Sequence, residues 1–393
     1  MSLNQGRDYL AIPGPSVTPD RVLRAMHRTS PNIYEGELVD MVPGVLNDLE
    51  ALAGTSGNAV IYIANGHGVW EAASSNVFSR GDKALILATG LFAHGWSEMT
   101  NMLGVETEIL DFGLSSSVDP EKLAERLAAD TAQEFKAVMM VQVDTGTSVK
   151  NDVLAVRKAL DKAGHPALLM VDCIACLGCD EFHMDDWGVD LMVTGSQKGL
   201  MTPPGCGFLF YNDKADKARE TANCVTSYWD WRARTNPEIF YLYFCGTAPT
   251  NHLYGIREAL DMMKEEGREH IWQRHDVLAR AVWTAVEHWG KSGEIFLNIK
   301  DASARSRAVT TVHVPSGKSI KLQDWCRDIA GLTLGLGLGM EEPEEYFRIG
   351  HMGHVNAQMV LGALATIEAG LKAVGIAHEA GGAAVAAEVI SER

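Results

Sequence analysis

The chain alternates short apolar runs with stretches of amphipathic helical spacing. Apolar runs occupy residues 59–63, 84–88, 137–141 and 168–171, and residues 153–163 show helical spacing between the last two runs. Short apolar runs are typical of strands buried on both faces, and strands that alternate with helices favour a parallel sheet. The pattern therefore predicts an α/β fold in which helices flank a mostly parallel sheet.

The pattern changes in the last third of the chain. A helix is predicted over about residues 252–266, with Gly267 as its stop signal, and a different helical pattern follows it. Residues 309–314 alternate as expected for a strand. These changes place a domain boundary after residue 266. The predicted organisation is an N-terminal arm (1–15), a large domain (16–266) and a smaller C-terminal domain (267–393).

Two ionisable residues lie where predicted strands end. Asp172 follows the apolar run 168–171, and Lys198 lies between an apolar strand and a turn rich in Gly and Pro. In open α/β sheets, chemistry gathers at the carboxyl ends of strands. A lysine and a carboxylate placed there match an imine-forming amine and an acid that keeps a pyridinium nitrogen protonated. A lone lysine is usually a surface residue, but that interpretation leaves the flanking glycines, the prolines and Asp172 unexplained.

The turn around the lysine carries a family resemblance. The run Gly195–Met201, followed by Pro203-Pro204-Gly205, resembles the class V pyridoxal-phosphate (PLP) aminotransferases. Within that family, the chain is most similar to the serine–glyoxylate and alanine–glyoxylate group, and the similarity extends from Pro13 to Gly350. The resemblance implies PLP fold type I, with a large domain built on a mostly parallel sheet and a smaller C-terminal α+β domain.

A glycine-containing turn is the candidate phosphate site. Asn65, Gly66 and His67 follow a predicted strand and precede a predicted helix, an arrangement that offers backbone N–H groups to an anion. The resemblance implies that this turn holds the PLP phosphate, that Phe92 stacks on the ring and that Thr145 lies near its phenolic oxygen. Many family members carry Ser or Thr near Asn65 and His67, so this chain departs from the family there.

The resemblance also assigns substrate and subunit contacts. It implies that Gln197 contacts the cofactor and that Arg348 clamps the substrate carboxylate, as the guanidinium fork suits a planar carboxylate. It places Tyr34 against the substrate, often across a dimer, and Thr247 against the phosphate of the neighbouring subunit. We therefore expect a homodimer with shared active sites. Tyr34 could equally be an ordinary loop aromatic.

The implied reaction is transamination of a small amino acid, serine or alanine, with glyoxylate or pyruvate as acceptor. Lys198 would hold PLP covalently and move the Cα proton, and Asp172 would keep the ring nitrogen protonated. A pyridoxamine–pyruvate aminotransferase is the main alternative, since the run Arg348–Gly353 also resembles that enzyme. A lyase or desulfurase of the same fold ranks lower, because no mobile cysteine is evident. A PLP-binding protein without turnover and a nicotinamide-binding fold are weaker alternatives.

Composition narrows the class of partner. The chain has 393 residues, enough for two domains, and a formal net charge of −17. This charge disfavours nucleic-acid and anionic-membrane partners, because no basic field is available to neutralise phosphates. No apolar run reaches membrane-spanning length, and we expect no signal peptide. Seven cysteines in such a chain favour reduced thiols and a cytoplasmic location.

Cys173, Cys176 and Cys179 form a Cys-x-x-Cys-x-x-Cys run directly after Asp172. An iron–sulfur or zinc site is one interpretation of this spacing. The run lacks the fourth Cys and the following Pro of the ferredoxin pattern. Small buried thiols are therefore the favoured interpretation, and no metal is expected.

Overall fold

The computed structural model describes residues 2–315 and 317–392. The strands are β1 (Tyr9–Ala11), β2 (Asn58–Tyr62), β3 (Lys83–Ala88), β4 (Glu106–Asp111), β5 (Phe135–Val141), β6 (Leu168–Asp172), β7 (Leu191–Gly195), β8 (Gly207–Tyr211), β9 (Phe296–Leu297), β10 (Val309–His313), β11 (Leu332–Leu336) and β12 (Tyr346–Gly350). The helices are α1 (Asp20–Met26), α2 (Glu37–Ala53), α3 (Gly66–Val77), α4 (Leu91–Met102), α5 (Pro120–Ala129), α6 (Val153–Ala163), α7 (Asp213–Arg219), α8 (Thr250–Glu266), α9 (Arg268–Trp289), α10 (Ser319–Ala330), α11 (Ala357–Ala373) and α12 (Gly382–Ser391). Within the described residues, no helix combines the length and apolar character needed to cross a membrane.

The larger sheet has seven strands in the order β2-β8-β7-β6-β5-β3-β4. The five neighbouring strands β7, β6, β5, β3 and β4 pair in parallel. β8 lies between β7 and β2 and is antiparallel to both. The predicted α/β fold with a mostly parallel sheet is therefore confirmed. β6 and β7 pair with Asp172 opposite Val193. This register brings the end of β6 beside the turn that carries Lys198.

Side chains of the central strands alternate between two cores. In β5, Val138 and Met140 join one cluster of buried residues, whereas Ala137 and Met139 join another. The first cluster includes residues of α2, α5, α6 and α8, and the second includes residues of α3 and α4. Successive strand residues point to opposite faces, so a sheet covered by helices on both sides needs apolar side chains at every position. This explains the uninterrupted apolar runs in the sequence.

The smaller sheet has five strands in the order β1-β11-β12-β10-β9. β1 pairs in parallel with β11, with Tyr9 opposite Leu332. The segment predicted as an N-terminal arm therefore contributes a strand to the C-terminal sheet. Helices α9 to α12 supply the core of this part, around Trp289, Phe347 and Leu364. The residues that follow β1 reach the turn after β7, where the Pro13 carbonyl accepts a hydrogen bond from Lys198 and the Ser16 N–H donates to the Gln197 carbonyl.

The predicted boundary after residue 266 stays a prediction. α8 ends at Glu266 and α9 begins at Arg268. Ile271 of α9 joins the core of the larger sheet, whereas Leu278 of the same helix joins the core of the smaller one. α9 therefore packs against both parts of the molecule.

Candidate active site

A cavity of about 270 Å³, the first cavity, lies at the carboxyl ends of β5, β6 and β7. It brings together residues that the sequence placed far apart. The predicted site residues that line it are Asn65, Gly66, His67, Phe92, Thr145, Asp172, Gln197 and Lys198. The topology accounts for this convergence, because parallel strands end at the same edge of a sheet and the following loops meet there.

Asp172 ends β6 at the floor of the first cavity and is 3% exposed. Its carboxylate accepts hydrogen bonds from the backbone N–H of Ile174 at 2.6 Å and from Nε1 of Trp70 at 2.7 Å. Burial raises the pKa of Asp172 to about 7, although both hydrogen bonds favour the ionised form. A cation placed beside this carboxylate would favour its ionised form and lower this pKa again.

Lys198 follows β7, and its Nζ donates a hydrogen bond to the carbonyl oxygen of Pro13. Burial lowers the pKa of Lys198 to about 8, the nearby Arg348 cation adds to this shift, and Asp172 opposes it. A lysine with a lowered pKa has a larger fraction of neutral amine near neutral pH, which is the nucleophilic form. The site thus holds an amine that is ready for imine chemistry.

The turn before α3 leaves donors free at the helix end. The Asn65 side chain caps α3 by accepting the N–H of Gly68 at 3.2 Å. Among the described residues, the N–H groups of Gly66 and His67 donate to no acceptor. A Cβ on Gly66 would lie 2.6 Å from Cδ1 of Ile174, so a larger residue here would require the tip of the Ile174 side chain to move. Free N–H groups at a helix N-terminus favour an anion.

Arg348, in β12, faces a second cavity of about 440 Å³ that shares Phe92, Thr145 and Lys198 with the first cavity. Its Nε donates to the Leu336 carbonyl, and its Nη1 donates to the Thr145 carbonyl at 2.8 Å. Burial lowers the pKa of Arg348 to about 10, so the group stays charged at neutral pH. Nη2 donates to no atom of the described residues, which leaves it available to an anion.

Two predicted site residues lie outside both cavities. Tyr34 is 79% exposed, and Thr247 is also exposed. Neither lines the first or the second cavity within one chain. Their assigned roles required a neighbouring subunit, so these roles stay predictions.

The comparisons with known proteins agree with this geometry. The family model Aminotransferase class-V matches residues 9–337. The chain belongs to this family. A serine–glyoxylate aminotransferase from Methylorubrum extorquens is 38% identical over 375 residues, covering 93% of this chain and 91% of that protein. An L-aspartate–glyoxylate aminotransferase from Paracoccus denitrificans is 33% identical, covering 96% of this chain and 94% of that protein. The crystal structure of pyridoxamine–pyruvate aminotransferase from Mesorhizobium loti has a TM-score of 0.90 at 24% identity, covering 100% of both chains, and shows the fold alone.

Class V aminotransferases use PLP, and the residues of this aminotransferase fit that cofactor. Asp172 is a buried acid that lines the first cavity, and a protonated ring nitrogen beside it would stabilise its ionised form. Lys198 presents an amine to the same cavity, and the start of α3 presents free N–H groups. Gln197 adds a buried Oε1 that has no hydrogen-bond partner among the described residues. An aldehyde, a protonated ring nitrogen and an anionic end would satisfy these groups together.

Two residues of this aminotransferase site were missed from the sequence. Trp70 lines the first cavity and stacks on Trp96, with ring centroids 6.1 Å apart. Asp144 is fully buried and accepts the N–H groups of Phe92, Gly146 and Thr147, which fixes the loop that carries Thr145. The only available signal was local: Trp70 lies one helical turn after Gly66, on the same face of α3.

The three cysteines after Asp172 are buried and form no disulfide with one another. The thiols of Cys173 and Cys176 both donate to Oε1 of Gln142, at 3.3 and 3.1 Å. The residues that the structure describes contain no group of three or more His, Cys, Asp or Glu arranged to hold a metal ion. The thiol run acts as packing behind the strand end that carries Asp172.

Proposed function

We propose that the chain is a glyoxylate-accepting aminotransferase that uses small amino donors such as serine or alanine, with pyruvate as a second acceptor. One observation carries the proposal: Lys198 lines both the first cavity, with Asp172 at its floor, and the second cavity, which contains Arg348. Relatives with similarity over nearly their full length use glyoxylate with different donors, namely serine and aspartate. The shared acceptor supports glyoxylate, and the donor is the variable part.

The chemistry that PLP supplies when bound is an electrophilic carbonyl and a ring that accepts electron density. Lys198 is the proposed attachment point and, once its amine is free, the base that takes the Cα proton of the donor and later returns it. The Asp172 carboxylate holds a proton on the ring nitrogen, which increases the capacity of the ring to accept electrons. Trp70 and the Ile174 N–H orient this carboxylate.

Arg348 is the proposed binding group for the α-carboxylate of donor and acceptor. Two carbonyl contacts hold its guanidinium in place and leave Nη2 free. A preorganised cation in a buried site binds a carboxylate with little further ordering cost. Because Arg348 and Lys198 line the same cavity, a substrate whose carboxylate is held by Arg348 has its amine in the cavity that Lys198 also lines.

The phosphate end of the site would be formed by Asn65, Gly66 and His67 at the start of α3. We propose that the enzyme is a homodimer in which Thr247 of one subunit completes the phosphate site of the other, and in which Tyr34 contacts substrate across the interface. The exposure of both side chains in the single chain supports this arrangement. Light scattering should then give a mass about twice the 42.7 kDa of one chain.

The first experiment is a pair of half-reactions followed by visible absorbance. L-Serine or L-alanine, added without a keto acid, should bleach the absorption band of the bound cofactor, and glyoxylate should restore it. A Lys198→Ala variant serves as control, because it should lack both changes. A band that no amino acid alters would overturn the substrate assignment and leave the fold untouched.

The same assay separates the pyridoxamine–pyruvate alternative. That activity would appear as a reaction of free pyridoxamine with pyruvate in protein that needs no phosphate-bearing cofactor. His67 lines the first cavity beside the free N–H groups at the start of α3, so a His67→Glu variant, which adds a negative charge there, should weaken retention of PLP only under the main proposal. Unchanged PLP retention in His67→Glu, together with turnover of free pyridoxamine, would favour the alternative.

A further inference from the structure

The second cavity is lined by helix α10 of the C-terminal part as well as by Arg348, and we call the portion that α10 lines its far end. Its lining includes the apolar side chains of Ile12, Leu336 and Leu338 and the hydroxyl-bearing Thr333, and both Leu336 and Leu338 are exposed in the single chain. Two polar residues, Gln323 and Arg327, lie one helical turn apart on α10 and line the far end. A cavity of about 440 Å³ is larger than serine or alanine requires, since volumes of this size hold far larger ligands. The far end is therefore free for a longer donor side chain.

Gln323 presents an acceptor in one fixed orientation. Gln323 is buried, with 6% of its surface exposed, and its Nε2 donates to Oγ of Ser319 at 2.7 Å. The Ser319 hydroxyl already donates its proton to the Tyr346 carbonyl at 2.6 Å, so its oxygen can only accept. The amide of Gln323 is therefore held with Nε2 towards Ser319. Its Oε1 has no donor among the described residues and belongs to a side chain that lines the cavity.

Arg327 presents donors beside this acceptor. Its Nε and Nη2 are occupied by Asp328 and Asp324, whereas Nη1 donates to no atom of the described residues. Two carboxylates thus surround one guanidinium, so the net charge of these three half-exposed side chains is negative. A second anion at this end would meet the two carboxylates as well as the single cation.

We propose that the α10 end of the second cavity binds the neutral carboxamide or ureido group of a longer amino donor. This inference rests on the proposed function, since it places the donor's α-carboxylate at Arg348. The distal N–H would donate to Oε1 of Gln323, and the distal C=O would accept from Nη1 of Arg327. The apolar stem would contact Leu336 and Leu338. Amino donors of the asparagine or glutamine kind have this chemistry.

Other distal groups fit less well. A carboxylate is acceptor-only, so it leaves Oε1 of Gln323 without a donor and faces Asp324 and Asp328. An alkyl end would exclude water from Oε1 of Gln323 without donating a hydrogen bond in its place, and leaving this acceptor unpaired costs free energy. A site built to hydrogen-bond a polar group discriminates strongly against analogues that lack it. The far end should therefore select the amide over both alternatives.

Binding of unreactive probes tests this selection without turnover. Succinamate and glutaramate carry the carboxylate and the distal amide but no amine. Calorimetry on the cofactor-loaded protein should show that the better of these two binds about tenfold more tightly than its dicarboxylate and than its isopropyl isostere. Equal affinity of the three probe types would overturn the inference.

A matched pair of α10 variants links the selection to Gln323. Gln323→Met keeps side-chain length but removes Oε1, and it should abolish the preference for the amide probe while the isopropyl probe binds as before. Lys321→Met, on the exposed side of the same helix, should leave every affinity unchanged. A Gln323→Met protein that retains the preference would contradict the assignment.

Turnover separates this inference from the proposed function. With glyoxylate as acceptor, the ratio of kcat/KM for L-glutamine or L-asparagine to that for L-alanine should fall about tenfold in Gln323→Met. If wild type shows no preference for the amide donors and Gln323→Met leaves activity with alanine unchanged, the far-end site alone is contradicted. If no donor is transaminated, the proposed function itself is contradicted.

Discussion

Nε1 of Trp70 donates a hydrogen bond to Oδ2 of Asp172 at 2.7 Å. The same helix, α3, begins at Gly66, where free N–H groups face the first cavity. One helix therefore contributes to both ends of the proposed cofactor site: its first turn would face the phosphate, and its second turn hydrogen-bonds Asp172, the acid that would hold the ring nitrogen. The 1.5 Å rise per residue of a helix fixes the distance between these ends.

Trp70→Phe should weaken cofactor binding about tenfold or more. The substitution removes the N–H donor, and a hydrogen bond to a charged group contributes roughly 1.5–3 kcal/mol. It should also raise the pKa of Asp172 further, because this hydrogen bond favours the ionised carboxylate. The measurement is the dissociation constant of PLP, followed by fluorescence.

Trp96→Phe is the matched control for that experiment. Trp96 stacks on Trp70 with an angle of 12° between the rings, but its own Nε1 donates to Ser74. It should lower stability through packing and leave PLP affinity within about twofold. Equal loss of affinity in both variants would show that packing, and not the hydrogen bond, is responsible.

The sequence predicted the fold and the floor of the site because both depend on local patterns. Apolar runs define the strands, and Asp172 and Lys198 lie within a few residues of strand ends. The positions of Trp70 and Asp144 depend on how α3 and the loop after β5 pack, and the only local sign of these contacts is the spacing of one helical turn between Gly66 and Trp70. The N-terminal arm illustrates the same limit, since β1 pairs with β11 more than 300 residues later.

Asp172→Asn should change the pH dependence of stability in the cofactor-free protein. The pKa of Asp172 is about 7 in the folded protein, above its ordinary value of 3.8, so the folded state binds a proton more tightly than the unfolded state. Unfolding free energy therefore falls as pH rises from about 4 to about 7, by on the order of 4 kcal/mol through this group. The asparagine variant should lose this component.

Chemical denaturation of both proteins at pH 5 and pH 7.5 measures that component as a difference. Other buried acids, such as Asp144 and Asp180, cancel because both proteins contain them. The variant should be the more stable protein at pH 7.5 and still lack transamination. Parallel curves for the two proteins would contradict the raised pKa of Asp172.

Arg348→Lys should lower kcat/KM for amino donors about 10- to 100-fold, mainly through KM. Lysine keeps the charge but loses the fork, so it fails to contact the Leu336 and Thr145 carbonyls while holding a carboxylate. The visible spectrum of bound cofactor should stay unchanged. Steady-state kinetics with L-alanine and glyoxylate give the measurement.

Arg305→Lys is the control for a purely structural effect of losing an arginine. Arg305 also donates to backbone carbonyls, those of Ile299 and Lys300, but it lines neither active-site cavity. It should reduce stability without changing KM for the donor. A similar rise in KM in both variants would argue against a substrate role for Arg348.

Gly199→Ala should destabilise the fold and misplace Lys198. A Cβ at this position would lie 2.1 Å from the carbonyl oxygen of Leu177, in backbone that follows the buried run after Asp172. The clash is with main chain and not with a mobile side-chain tip, so relief requires a backbone shift, and overpacking of this kind costs about 1–3 kcal/mol. Because Lys198 is the adjacent residue, the shift moves its amine relative to Asp172 and lowers kcat.

Gly362→Ala is the control, and its effect on stability should have the opposite sign. Gly362 is exposed in α11 with nothing within 4 Å of the added Cβ, so the substitution should stabilise the helix by up to about 1 kcal/mol and leave activity intact. The measurements are the denaturation midpoint and kcat of both variants. A Gly199→Ala protein as stable and as active as wild type would contradict the prediction, because it would show that the turn after Lys198 accommodates the Cβ without moving the lysine.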